Sequence, residues 1–224
     1  VTDGVYVMQK PNSADGAHSA LTTDFLGSVE LLRAMPGVTS ACLVAEIPLR
    51  KPGDNLRSVL FRLGAGNPER ISYNRVSPGF FEAFGVPIVR GRGFTLKETL
   101  SEAPVVVISE SVARRLWPGE EALGKVIAVD DALFIQRQDP DATEPGRTYR
   151  ELQVVGVSRD FRSNWGRNDM AHVLLLPLPA KVGAGSILVR VASESSAALR
   201  GIERTMLAAI SLRIGACAAR AEGR

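Results

Sequence analysis

Residues 75–94 read RVSPGFFEAFGVPIVRGRGF. Ser77 is expected to cap a short helix there, and Pro78 suits its first turn, where no amide hydrogen is needed. Phe80, Phe81 and Phe84 fall on adjoining helical positions, and Gly85 is free to take the left-handed conformation that closes a helix. Pro87 to Arg90 then reads as a strand, and Arg90 to Phe94 as a turn. Three aromatic rings on so short a helix need a core, and at least two of them are expected to sit in it.

The flanking sequence supplies that core. Toward the N-terminus, Ser58 to Leu63 and Arg70 to Val76 read as strands joined by the turn Gly64-Ala65-Gly66-Asn67-Pro68. Val5 to Met8 has strand character. Leu21, Phe25, Val29, Leu32 and Met35 recur at three- and four-residue steps, which predicts a helix over 21–35. Thr22 or Thr23 would cap it, Asp24 would sit in its first turn, and Pro36-Gly37 would stop it. Val38 to Ile47 reads as a buried strand, so the first fifty residues make a βαβ-like unit.

Toward the C-terminus, Val105 to Ile108 is an apolar strand, and Ser109 is expected to cap a helix carrying Val112, Leu116 and Trp117. Lys125 to Val129 is a further strand, and Asp130 to Thr148 is a polar stretch with the character of an exposed loop. Leu152 to Val157, Val173 to Leu176 and Ile187 to Val191 follow as strands. Ala198, Leu199, Ile202, Met206 and Ile210 predict a second long amphipathic helix. The sum is an α+β protein with a long helix near each end and a strand-rich middle.

The chain has 224 residues, 45% apolar and 23% charged, which is enough material for a sizeable core. Its net charge of +3 comes from arginines scattered among acids, as at Arg70, Arg75, Arg90, Arg92, Arg114 and Arg115, and points to a solvated surface, with no nucleic acid as partner. No uncharged apolar run reaches the length of a membrane span; Met170 to Val189 comes nearest and is broken by His172, Lys181 and two prolines. Val1 in place of Met leads us to expect a segment of a longer protein.

Candidate chemistry is thin. Gly119 to Lys125 matches seven positions of a phosphate-binding loop, but Val126 stands where a Mg²⁺-binding hydroxyl belongs. The segment also leads from helix into strand, the reverse of what a phosphate needs. Asp130, Asp131, Asp139, Asp141 and Glu144 lack the glycine and final glutamate of a calcium loop. Cys42 and Cys217 have no metal spacing and read as small hydrophobes, with a disulfide as the alternative. His18 and His172 are the only histidines, so Ser77 and Ser109 have capping roles and no catalytic partners. No catalytic, cofactor-binding or metal-binding residue is assigned, and no cofactor is expected.

The order of these segments resembles one known family. The 75–94 stretch is similar to the "S-x-x-F/Y-F-x-x-x-G" helix and following "L-x-x-G-R-x-F" of MacB-like periplasmic core domains. Val105 to Gly119 with Leu123-Gly-Lys-Val-Ile127 resembles the family's strand–helix–"P-G-x-x-x-x-G-K-x-I" run. Val154 to Asp160 resembles its "V-V-G-V-x-x-D" strand, and Leu31 to Val38 its "L-P-G-V" helix end, a feature closest to permeases that carry two such domains.

The resemblance implies an FtsX-like ABC-transporter permease of the inner membrane, with this domain on the periplasmic side. It implies a porter-like subdomain from residues 1–76 and 169–224 and an inserted, strand-rich, sabre-like subdomain from 77–168. The expected partners are the parent's transmembrane helices and cytoplasmic ATPase, with a periplasmic adaptor or a second permease domain. The expected role is non-catalytic: coupling ATP hydrolysis to export or mechanical work outside the membrane. A small-molecule sensor domain is the alternative, and a deep enclosed apolar pocket would favour it.

Overall fold

The computed structural model describes residues 4–9, 25–47, 58–131, 148–161, 173–178, 186–192, 200–202 and 204. Its strands form two connected pieces of sheet. β1 (Val5–Gln9), β10 (Ser186–Val191) and β2 (Val38–Val44) lie side by side, all antiparallel, with β10 in the centre. Residues from both chain ends therefore share one layer. α1 (Phe25–Arg33) covers one face of it: Val29 and Leu32 pack on Ala41, Leu43, Ile187, Val189 and Val191. Residues 200–202 and 204 are helical, and Ile202 joins the same cluster.

The second piece closes on itself. β3 (Ser58–Arg62) pairs with β4 (Glu69–Val76), β4 with β9 (Val173–Pro177), and β9 with β6 (Val105–Ser109). β6 pairs with β8 (Tyr149–Ser158), β8 with β7 (Val126–Asp130), and β7 returns to β3. β5 (Ile88–Gly91) extends the ring on the free edge of β8. Side chains alternate along a strand, so every second residue points inward. Val59, Phe61, Ile71, Val106, Ile108, Ile127, Val129, Leu152, Val154, Leu174 and Leu176 fill the interior. Each contributes about 1.5–3 kcal/mol by leaving water. α4 (Glu110–Leu116) closes the ring on one side with Val112 and Ala113, and its Arg115 pairs with Glu69 of β4.

Between layer and ring lies α2 (Phe80–Phe84), the helix of the 75–94 stretch. Phe80 and Phe81 are buried and Phe84 is partly so. The Phe80 ring stacks on Phe84 at 5.5 Å and meets Phe81 and Phe161 edge-on. Cys42, Val44 and Leu188 of the layer face this cluster from one side, and Val105, Val107 and Leu175 of the ring from the other.

Several details differ from what the sequence predicts. Ser77 does not cap α2, whose N-cap position is Gly79, with φ at 90°. Its hydroxyl instead accepts the Leu43 amide at 2.8 Å. Ser109 stands at the N-cap of α4, but its hydroxyl meets the Ser111 hydroxyl at 3.1 Å, and the helix amide of Ser111 donates to Asp160 at 2.8 Å. A tertiary carboxylate has taken the place of a local cap. α1 is described from Phe25 only, and Leu31 on its outer side is exposed. Gly85, at φ 75°, closes α2 as anticipated.

α3 (Leu96–Leu100) is a helix the periodicity did not show. Thr95 and Glu98 form a reciprocal capping box at its start. Arg92 grips the same carboxylate through two hydrogen bonds of 2.8 and 2.7 Å. The Arg92 guanidinium, helped by the Thr95 amide and hydroxyl and opposed by burial, holds the Glu98 carboxyl down at about 2.

Two outcomes follow. Phe80→Ala removes a fully buried ring and is expected to cost about 3–5 kcal/mol in urea unfolding, well above Phe84→Ala at its half-buried site. Because the folded-state pKa of Glu98 is depressed, its stabilisation is complete above the ordinary carboxyl range and fades as pH falls toward about 2. Stability measured between those limits should fall less steeply in Glu98→Gln than in the parent chain.

Candidate functional site

Among the described residues, those that the sequence first brought forward do not gather at one place. Gly119 and Gly124 both take φ 79° in a turn between α4 and β7, and Lys125 is tied to Glu120 at 2.8 Å. Asp130 is buried at the end of β7 and Asp131 donates its amide to Thr148, while 139, 141 and 144 lie outside the described residues, as do His18, His172 and Cys217. Among the described residues no three His, Cys, Asp or Glu side chains are placed to hold a metal. Cys42 is a buried thiol, pushed up to about 12 by desolvation.

What the structure does assemble is a joint. β4 belongs to the ring, yet its last residue, Val76, is paired with Val44 of β2 in the layer. The Ala45 amide donates to the Arg75 carbonyl at 2.9 Å, and the Ser77 amide to the Leu43 carbonyl at 2.9 Å. Asn74, buried, adds a side-chain clamp: its Nδ2 donates to the Glu46 carbonyl at 2.8 Å and its Oδ1 accepts the Glu46 amide at 3.1 Å. On the other edge, the Leu178 amide after β9 donates to the Val76 carbonyl at 3.0 Å. A buried backbone must find such partners, so the end of β4 is fixed from both sides.

Beyond the seam the chain runs directly into α2, and the layer holds both ends of that helix. Arg33 of α1 donates to the Ala41 carbonyl at 3.0 Å and to the Pro78 carbonyl at 2.7 Å, and Ser40 donates to the Gly79 carbonyl at 3.1 Å. At the far end, Arg190 of β10 donates to the Ala83 carbonyl at 3.0 Å. The two flanking glycines make room for these arginines. A Cβ on Gly79 would stand 2.5 Å from the Arg33 guanidinium, and one on Gly85 2.6 Å from that of Arg190. Both also have positive φ, so each is fixed as glycine twice over.

This joint is a set of hydrogen bonds that ties the layer to the end of β4 and to α2. Arg33, Asn74 and Arg190 carried no sequence signal, because their partners are carbonyls and amides brought close only by the fold. Ser77 and Gly85 were visible, but with helix-capping roles.

Residues 2–202 match the family model described as the MacB-like periplasmic core domain. The macrolide export ATP-binding/permease protein MacB of Wolinella succinogenes is 29% identical over 135 residues, which are 60% of this chain and 17% of that protein. The chain thus corresponds to a small part of that relative's length. Among solved structures, the periplasmic region of MacB from Actinobacillus actinomycetemcomitans aligns with a TM-score of 0.56 and 16% identity, over 94% of this chain and 85% of that one. The extracellular domain of the ABC-type transporter YknZ from Gram-positive bacteria gives 0.51 and 16%, over 88% and 86%. At these identities the likeness concerns the fold.

Ser77→Ala should leave the buried Leu43 amide without its hydroxyl and cost about 1–3 kcal/mol in chemical denaturation. A loss within a few tenths, no more than a surface serine gives, would mean that the seam does not depend on it.

Proposed function

This chain belongs to the MacB-like periplasmic core domain family, and we propose that it is a non-catalytic coupling domain of an ABC-transporter permease. In that role it stands on the extracytoplasmic side of the inner membrane and passes movement from the parent's membrane helices and cytoplasmic ATPase to a substrate or adaptor outside. The membrane helices would flank the domain. The two bodies that move would be the layer of β1, β10 and β2 with α1, and the ring, to which β3, β4 and β9 belong together with most of residues 77–168.

One observation carries the reading: β1, near the N-terminus, and β10, from the last fifth of the sequence, lie in a single layer, and that layer meets the ring at the end of β4 and around α2. β1 and β10 are neighbours in register, Val5 opposite Arg190 through Gln9 opposite Ser186. A displacement applied near either end therefore reaches the same three strands. Packed bodies of this kind move as units by small rotations and slides. The ring's interior is filled by fully buried apolar side chains, which supports a solid lever over a ligand-holding shell.

The test uses the full-length transporter with its ATPase, in membranes. Asn74→Leu removes the clamp on Glu46. Export is expected to fall by roughly tenfold, the scale of a typical coupling energy, while ATP hydrolysis is little changed. Equal loss of both activities, or of neither, in a folded variant would overturn the coupling role.

A further inference from the structure

The contacts of α2 differ on its two sides. Toward the layer, apolar contact with Cys42, Val44 and Leu188 is joined by hydrogen bonds: Pro78 and Gly79 carbonyls to Arg33 and Ser40, the Ala83 carbonyl to Arg190. Two of the three come from guanidinium groups, which makes them stronger than neutral ones. Toward the ring, the contacts of α2 itself are apolar, Phe80, Phe81 and Ala83 with Val105, Val107, Leu175, Phe94 and Phe161 in one cluster; hydrogen bonds to the ring begin beyond its end, where the Pro87 carbonyl accepts the Arg159 amide at 2.9 Å and β5 pairs with β8. Hydrogen bonds fix distance and direction, whereas apolar contact is non-directional and tolerates a slide of one packed surface over another.

We infer that α2 is carried by the layer, and that the plane of slip between the two bodies lies between α2 and the outer face of the ring, with the end of β4 and the short link of residues 85–87 from α2 to β5 as its pivots. Arg33 and Arg190 are the clasps. Arg33 lies on α1 and Arg190 on β10, so each stands on an element close to one chain end. A shift of the layer then drags α2 from both ends at once. Gly79 and Gly85 let the guanidinium groups come close enough to hold it. The Phe80–Phe84 stack keeps the sliding face a single stiff surface.

The slip plane presupposes the coupling role proposed above, yet it is tested without transport. Native-state hydrogen exchange of the 224-residue chain reads which body α2 opens with, through the Ala83 and Val86 amides, bonded to the Gly79 and Phe81 carbonyls. Val189→Ala weakens the layer on its α1 face, and Ile127→Val weakens the ring interior; neither side chain belongs to the cluster around α2. Val189→Ala should speed exchange at Ala83 and Val86 by the same factor as at β2 and β10, roughly three- to tenfold. Ile127→Val should leave them unchanged while speeding exchange in β7 and β8. Arg190→Lys, which keeps the charge and loses the fork, should speed both α2 amides roughly tenfold with the ring unaffected. If α2 follows Ile127→Val, responds equally to both core variants, or ignores Arg190→Lys, it is not a part of the layer and the slip plane is elsewhere; the coupling role would stand or fall on transport alone.

Discussion

The end of β4 is the constraint from which the rest of the architecture follows. A strand has two edges, and every buried amide and carbonyl on them must be paired. β4 meets that demand with β3 and β9 along its length and with β2 at its last residue. Those three partners come from different regions of the sequence, and once β4 is satisfied their relative positions are set. The ring closes with β9 beside β4, and the strands of the layer meet those of the ring where β2 reaches Val76. Asn74 and Ser77 replace the ladder where the strands diverge, using side-chain atoms for bonds that backbone geometry no longer supplies.

Two kinds of stabilisation divide the work. Burial of apolar area holds each body together: the ring by its filled interior, the layer by α1. The joint is polar at the end of β4 and apolar around α2, where Cys42, Val44 and Leu188 of the layer share a cluster with Val105, Val107 and Leu175 of the ring. Its bonds each contribute little net stability, but breaking one leaves a buried group unpaired, which is costly. That asymmetry makes the joint specific in geometry without making the two bodies a single rigid block.

Much of this was legible in sequence, and the reasons differ by element. The strands of the ring and layer announce themselves as β-branched runs, and β2, β6 and β10 lie close to their expected limits. Phe80, Phe81 and Phe84 marked a core because three rings at helical spacing cannot all face water. The α+β class and the family were legible from the order of motifs. α3 was missed although Thr95-x-x-Glu98 is a capping box, because five residues are too few to show periodicity. The capping role of Ser77 was misread, and Ser109 holds its N-cap position without a capping bond, because local propensity favours a cap and tertiary partners, Leu43 and Asp160, overrode it. Ring closure has no local signature at all. It depends on β4 and β9, nearly a hundred residues apart in the chain, finding parallel register.

Movement between layer and ring is the central claim, and a distance measured during turnover tests it most directly. Leu31 on α1 and Val126 on β7 are exposed, one on each body, and both accept spin labels without disturbing a core. Leu100 of α3, also exposed, with Val126 gives a control pair on the ring side. In the full-length transporter in membranes, pulsed electron-spin distances between Leu31 and Val126 should shift between the nucleotide-free and ATP-bound states, while the Leu100–Val126 distance holds. An unchanged Leu31–Val126 distribution through a cycle that still exports would contradict the account.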